Sequence, residues 1–171
     1  MPSSFIEIQR FTQRWLWILL IGMMLGVAGV FGYGMIEQLL FGKPWGDRPL
    51  SDGTLLLVGG ATLLFSLGMI YLFYTLRLIT AAREEGLYIR FYPLWSKVIP
   101  YHTIQSCEVR TYKPLREYGG WGIKYGRSGW AYNIIGNRGV QLVLDSGKRI
   151  LIGSQRAGEL EQAIKSHCHT D

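Results

Sequence analysis

The segment Tyr118 to Gly139, "YGGWGIKYGRSGWAYNIIGNRG", holds seven glycines and five aromatic rings. Gly120, Gly122 and Gly126 spell G-x-G-x-x-x-G. A glycine loop cradles a pyrophosphate only when a helix N-terminus follows to supply amides and a dipole. Here the spacing is one residue too long, strand-like residues follow, and the chain contains no GK[ST] triplet. A nucleotide loop is therefore set aside. His167, Cys168 and His169 are adjacent ligands in a tail, without the spacing or supporting shell that zinc requires. Ser106 has no evident base and orienter, His102 and Cys107 are five apart, and no pair of carboxylates is spaced for acid–base work. The expectation is a protein with no catalytic residues, no cofactor and no metal.

As strands, the same segment reads differently. Gly120, Gly122, Lys124 and Gly126 fall on one face, and Trp121, Ile123, Tyr125 and Arg127 on the other. Glycine in a strand permits sharp coiling or close approach of another element. Either the segment supplies curvature and core rings, or its glycine face receives something: a partner's strand, an apolar side chain or the protein's own N-terminal arm. Around it lie Arg110, Lys113, Arg116, Arg138, Lys148 and Arg149. Such a set suits anionic lipid headgroups or an ordinary cytoplasmic surface. It forms no dense patch or motif of the kind nucleic acid requires.

The elements that must position these residues begin with two apolar runs. No charge occurs from Trp15 to Ile36 or from Gly53 to Leu76, and about twenty helical residues cross a hydrocarbon core. The sequence predicts a transmembrane hairpin over 15–85, with spans at about 15–36 and 53–76. The first run is too long for the core of a cleaved signal peptide, so a retained N-terminus is expected. Arg10 and Arg14 precede the first span, and fourteen basic against eight acidic residues follow the second. By the positive-inside rule both termini are placed in the cytoplasm. The spans contain no Asp, Glu, Lys, Arg or His, which argues against an ion or proton pathway. Gly22 and Gly26 form a GxxxG. Small residues let helices approach closely in lipid, either the chain's own second span with Gly59, Gly60, Ala61 and Gly68, which is the favoured reading, or a partner's span.

Residues 1–14 are expected to form an interfacial segment. Ser4 to Glu7 reads S-x-x-E, a capping box for a short helix, although "FIEIQ" also alternates as an extended arm would. The second span is expected to run on as helix through "RLITAAREE" to Gly86, a C-terminal cap glycine. From Leu87 the period becomes two, with Leu87, Ile89 and Phe91 on one face. Six or seven antiparallel strands follow, including a hairpin "VQLVLDSGKRILIG" turning at Asp145-Ser146-Gly147. A helix begins near Ser154 or Gln155, with Leu160, Ala163 and Ile164 on its apolar face. Cys107 and Cys168 are expected to be reduced thiols.

The run "GVQLVLDSGKRILIGSQRAGELEQAI" resembles the closing hairpin and helix of bacterial pleckstrin-homology-like domains. The preceding glycine–aromatic stretch and the two spans are similar to those of small bacterial two-span proteins carrying such a domain. The resemblance covers roughly 86–165 and contributes no catalytic residues. It implies an α+β membrane protein of the bacterial inner membrane, with a cytoplasmic PH-like antiparallel barrel over 86–171 capped by the C-terminal helix. The expected role is a non-enzymatic accessory or assembly protein that docks a membrane-protein partner or self-associates. The alternative is a sensor of anionic lipid or a small ligand. The contact residues singled out are Gly22, Gly26, Trp121, Gly122, Lys124, Tyr125, Arg127 and Arg138.

Overall fold

The computed structural model describes residues 5–168 and separates into two compact units. Residues 13–74 form a helical unit, and residues 1–12 with 75–171 form a sheet unit. In the helical unit α1 spans Arg14–Met35 and continues as a π-helical stretch, Ile36–Leu40, while α2 spans Asp52–Thr75. Both are long and apolar enough to cross a membrane. The turn between them is fixed by Gln38, whose amide donates to the Leu50 carbonyl at 2.7 Å and to Asp52 Oδ1 at 2.8 Å. The close approaches within this unit occur at Gly34 and Gly59. A Cβ on Gly34 would lie 2.4 Å from the Trp45 ring, and one on Gly59 would lie 3.1 Å from Met35 Sδ.

Two sequence expectations fail at the helix ends, for one physical reason. The segment expected as an interfacial helix is strand β1, Phe5–Arg10. The segment expected to prolong the second span is strand β2, Arg77–Arg83. The two pair antiparallel from Phe5↔Ala82 to Arg10↔Arg77. Each strand satisfies the other's backbone groups, and the period of two buries Phe5, Glu7 and Gln9 of β1 with Leu78 and Thr80 of β2 on one face, an arrangement a helical period would not give. Ser4 of the capping box lies outside the described residues. Its partner Glu7 is buried instead, accepting from Ser154 Oγ and from the Gln155 amide at 2.9 Å. Gly86, expected as a helix cap, closes the β2–β3 turn with φ +143°.

Among the described residues the sheet unit has nine strands in two sheets. In the first, the order is β1-β2-β3-β4, with β3 at Gly86–Tyr92 and β4 at Trp95–Ile99, all antiparallel. The second has the order β5-β8-β9-β7-β6. Its strands are β5 Ile104–Thr111, β6 Gly122–Gly126, β7 Gly129–Asn133, β8 Arg138–Leu144 and β9 Arg149–Gly153. The expected all-antiparallel closed barrel is corrected on two counts. β7 and β9 run parallel, and among the described residues no ladder joins the two sheets into a ring. The hairpin β8–β9 does turn at Asp145–Gly147, with the Gly147 amide bonded to the Leu144 carbonyl at 2.7 Å.

The period-two pattern places Leu87, Ile89 and Phe91 on the buried face, as do Val140, Leu142, Ile150 and Ile152 in the second sheet. The rings of Trp95 and Tyr132 stack at 5.0 Å to join the sheets through their side chains. Helix α4, Ala157–Cys168, packs on β5, β8, β1 and β2 with Ala157, Leu160, Ala163 and Ile164 buried. Each such side chain removes enough apolar area from water to stabilise the fold by roughly 1.5–3 kcal/mol for the larger ones.

Glycine is required where strands crowd. A Cβ on Gly139 would stand 2.3 Å from the Ile152 carbonyl oxygen in the neighbouring strand. A Cβ on Gly158 in α4 meets nothing within 4 Å. Gly139→Ala is expected to lower unfolding stability by roughly 1–3 kcal/mol or more through overpacking, whereas Gly158→Ala should be neutral or stabilising by up to about 1 kcal/mol. Thermal midpoints of the two variants in detergent check this contrast.

Candidate functional site: an aromatic and cationic cleft

Four rings form a chain from core to surface. Trp95 stacks on Tyr132, Tyr132 lies parallel to Trp130 at 6.5 Å, and Trp130 meets Tyr125 edge-on at 5.3 Å. The register explains the outer pair: Tyr125 and Trp130 are directly opposite on β6 and β7, so their rings share a face. Tyr132 is buried and Trp95 half-buried, whereas Trp130 is 43% exposed and Tyr125 72%. Large rings held this open by a packed base are pre-organised contact surface, because their rotamer entropy is already lost.

Three cations line the same cleft as the two outer rings. Parallel pairing of β7 with β9 puts Trp130 opposite Ile150, which brings Arg149 and the β8–β9 turn beside the β6–β7 turn. The result is a cleft of about 430 Å³, lined by Tyr125, Arg127, Gly129, Trp130, Ser146, Lys148 and Arg149 among others. Among the described residues no carboxylate lines it. Gly129 makes the cleft floor possible: its φ is +94°, and a Cβ there would stand 2.2 Å from the Arg149 carbonyl oxygen. Only glycine accepts both conditions without strain. The cleft offers flat apolar faces and a positive potential, which fits an acidic segment carrying an apolar side chain.

The structure divides the residues singled out from sequence. Tyr125 and Arg127 line the cleft. Lys124 falls on the opposite face, across from Ala131. Trp121 and Gly122 lie at the other end of β6, where Trp121 Nε1 donates to the Gly136 carbonyl at 3.0 Å and the Gly122 amide to Asn133 Oδ1 at 2.9 Å. Arg138 opens β8 at the end remote from the turn. Gly22 and Gly26 are exposed on α1, and a Cβ on either meets nothing within 4 Å. The favoured packing of that pair against the chain's own second span is thus corrected, since Gly59 makes the close contact instead. Trp130, Lys148 and Arg149 complete the cleft and were not singled out as contacts. The alternation of "GWAYN" against "GIKYG" pointed to Trp130, but only the non-local β7–β9 pairing recruits the other two.

What fills the glycine face of β6 is the chain's own short helix α3, Pro114–Tyr118. A Cβ on Gly126 would stand 2.2 Å from the Glu117 carbonyl oxygen. Proline at N1 and left-handed Gly119 at the cap, φ +71°, define this single turn. The Arg110–Glu117 ion pair and the bond from the Lys113 amide to Glu117 Oε1 at 2.7 Å hold it down. It covers a second small core of Tyr112, Tyr118, Ala131 and Leu151. There Asn133 Nδ2 donates to Tyr112 Oη at 3.0 Å. At the far C-terminus, His167 Nδ1 lies 2.7 Å from the Ala163 carbonyl and its ring stacks on Tyr101 at 4.6 Å. His169 lies outside the described residues. Among the described residues no cluster of three or more His, Cys, Asp or Glu is placed to hold a metal.

The fold and its cleft define an α+β protein with two long apolar helices and mainly antiparallel sheets. The chain belongs to the DUF6141 family, a family of unknown function, whose model matches residues 4–170. No curated protein matches it.

Burial pushes the Tyr112 phenol up to about 12, with the Asn133 bond a smaller, lowering influence. A raised phenol favours the neutral form in the folded state. Its stabilising contribution is therefore complete below pH 10 and is lost as the pH rises from 10 through 12. Urea midpoints should fall across that window, and Tyr112→Phe should flatten part of the slope; Tyr101, also pushed to about 12 by burial, Cys107, pushed to about 11, and the raised phenols of Tyr118 and Tyr132 contribute to the rest.

Proposed function

We propose that this protein is a non-enzymatic, membrane-anchored accessory protein that docks a membrane-protein partner through its sheet unit. The carrying observation is the open Tyr125–Trp130 pair flanked by Arg127, Lys148 and Arg149. Trp, Tyr and Arg are the residues that dominate binding energy when they cluster in one pocket. The cations add attraction for acidic chains and set the register of docking more than the affinity. The partner chemistry that fits is an acidic, aromatic- or aliphatic-containing segment presented close to the membrane. The same cations suit a small anionic ligand or lipid headgroup, so the sensor alternative is one outcome of the test.

Kinship with the bacterial PH-like domains belongs to the same proposal. The β8–β9 hairpin leading into α4 supports it, while the parallel β7–β9 pair and the open sheets depart from the barrel it implied. The bacterial inner-membrane location with both termini cytoplasmic is likewise proposed, from the excess of Lys and Arg outside the apolar helices. The exposed Gly22–Gly26 face favours a second contact, with a partner's span or a second copy of α1, since its own hairpin leaves that face open.

Full-length tagged protein, extracted in mild detergent, should retain a membrane-protein partner. With that partner purified, Trp130→Ala should weaken association tenfold or more, about 1.4 kcal/mol or greater. Lys148→Gln with Arg149→Gln should slow association and reduce its salt dependence. Gly22→Leu should reduce retention without altering the isolated cleft contact. Equal retention by wild type and Trp130→Ala would remove the cleft from the account. Absence of any partner, with saturable binding of a small anion, would shift the function to ligand sensing.

A further inference from the structure

The outer face of the first sheet presents a second cationic surface, separate from the cleft. The register stacks its residues in rows. Arg10 lies opposite Arg77, and Arg77 opposite Tyr92. In the next row are Ile8, Ile79, Arg90 and Ser96, and in the third Ile6, Ala81, Tyr88 and Val98. The side chains are placed wrongly for a water-facing sheet. Ile6 is 62% and Ile8 54% exposed, while Glu7 and Gln9 of the same strand are buried. The strand turns Ile6 and Ile8 outward with Arg10, and Glu7 and Gln9 inward with Phe5.

Two guanidinium groups directly opposite one another on neighbouring strands repel. The Arg10–Arg77 pair receives no carboxylate: the ion pairs among the described residues involve other cations, namely Arg110, Arg156 and Lys165. Arg77 and Arg90 instead both stand over the Tyr92 ring, at 4.6 and 5.0 Å from its centroid. Two arginines thus stand over one tyrosine, Arg10 lies across the ladder from one of them, and among the described residues none of the three makes an ion pair. Glu7, three residues from Arg10, faces the core and is bonded to Ser154 and the Gln155 amide, while Glu84 and Glu85 sit in the β2–β3 turn at the opposite end of the strands. At that end the two carboxylates are accompanied by Arg83, over the Tyr88 ring, and Arg156, over the Phe5 ring, whereas the end joined to the apolar helices carries Arg10 and Arg77 alone among charged residues of the β1–β2 ladder.

The covalent chain says what lies at the positive end. Arg77 follows the last residue of α2, Thr75, by two positions, and Arg10 precedes the first residue of α1, Arg14, by four. At no more than about 3.6 Å per residue, Arg77 is held within about 7 Å of a helix end and Arg10 within about 14 Å. The polar layer on each side of a hydrocarbon core is roughly 5–8 Å deep. With α1 and α2 spanning a membrane, both arginines are confined to headgroup depth or just beyond it.

We propose that this face docks on the anionic headgroups of the leaflet where β1 and β2 join the helices. Arg10, Arg77 and Arg90 take lipid phosphates, and Ile6, Ile8 and Tyr88 reach toward the acyl boundary. The inference rests on α1 and α2 being membrane spans, but not on the cleft or its partner. A docked sheet face explains the outward isoleucines and the unopposed arginine pair together, which neither solvent nor a neutral protein surface does. It leaves the cleft, on the other sheet, to a second contact.

Purified full-length protein in nonionic detergent provides the test, by thermal midpoint as lipid is titrated in. Phosphatidylglycerol should raise the midpoint saturably, since a ligand of the folded state stabilises it. Phosphatidylcholine and inorganic phosphate should not. Arg10→Gln with Arg77→Gln should start from a higher midpoint without lipid, because the repulsion is gone, and should bind phosphatidylglycerol about 30-fold more weakly. Arg90→Gln, which leaves the cross-strand pair in place, should lose part of the shift. Trp130→Ala should keep all of it. Equal shifts with phosphatidylcholine, saturation by phosphate alone, an unchanged shift in the arginine variants or a loss of the shift in Trp130→Ala would each overturn the proposal. Release of the unmodified protein from native membranes by alkaline carbonate would instead refute the spanning reading beneath it.

Discussion

The pairing of β1 with β2 is the constraint on which the sheet unit depends. It brings the segment before α1 and the segment after α2 into one sheet as neighbouring strands. The pair is then sealed from inside. Glu7 accepts from Ser154 Oγ and the Gln155 amide, and Gln9 Nε2 donates to the Gly153 carbonyl at 2.8 Å. These bonds tie the first strand of the chain to the last strand and to the approach of the last helix, 144 to 148 residues away in sequence. A buried carboxylate and a buried amide are costly unless partnered. Placing them on the inner face makes β1 specific for this one position. A helix or a slipped strand would leave Ser154 and the Gln155 amide without that partner.

Once β1 is fixed, the remaining faces follow from alternation. Polar Glu7 and Gln9 go inward, so Ile6 and Ile8 go outward, and β2 and β3 add Arg77, Arg90, Tyr88 and Tyr92 to the same surface. The second sheet sorts its rings the same way. Tyr132 enters the core while Trp130 and Tyr125, one strand step further out, reach the surface. The inner ends of this ladder are immobilised by packing, so the outer rings are presented without loop mobility. α3 performs a quite different task on the other face of β6, filling the space that Gly126 leaves.

Much of this was legible from sequence, and the failures have physical causes. The β8–β9 hairpin and the apolar face of α4 are local patterns with a turn signal or a helical period, and both appear where the residues placed them. Leu87, Ile89 and Phe91 alternate cleanly because one face is dry. β2 was hidden because "RLITAAR" follows an apolar run without a break, and Ala81 and Ala82 are good helix formers. β1 was hidden because Ser4 to Glu7 reads as a capping box, whereas the Glu7 carboxylate finds its partners in Ser154 and the Gln155 amide, contacts no local pattern encodes. The cleft was half visible: Tyr125 and Arg127 are adjacent in one turn, whereas Lys148 and Arg149 arrive through the parallel β7–β9 pairing, a contact no local pattern encodes.

The account stands or falls on β1 being a paired strand, which disulfide trapping tests most directly. Cysteines placed at Ile8 and Ile79, directly opposite in the register, lie within the 4.4–6.8 Å Cα separation a disulfide needs. In membranes carrying the full-length protein, with Cys107 and Cys168 replaced by serine, mild oxidation should join them efficiently. A pair displaced by two residues, at Arg10 and Ile79, should join poorly. Efficient trapping at Ile8–Ile79 alone is the result the structure predicts. No trapping there, or equal trapping at both pairs, would show that the N-terminal segment is not locked in this register and would contradict the account.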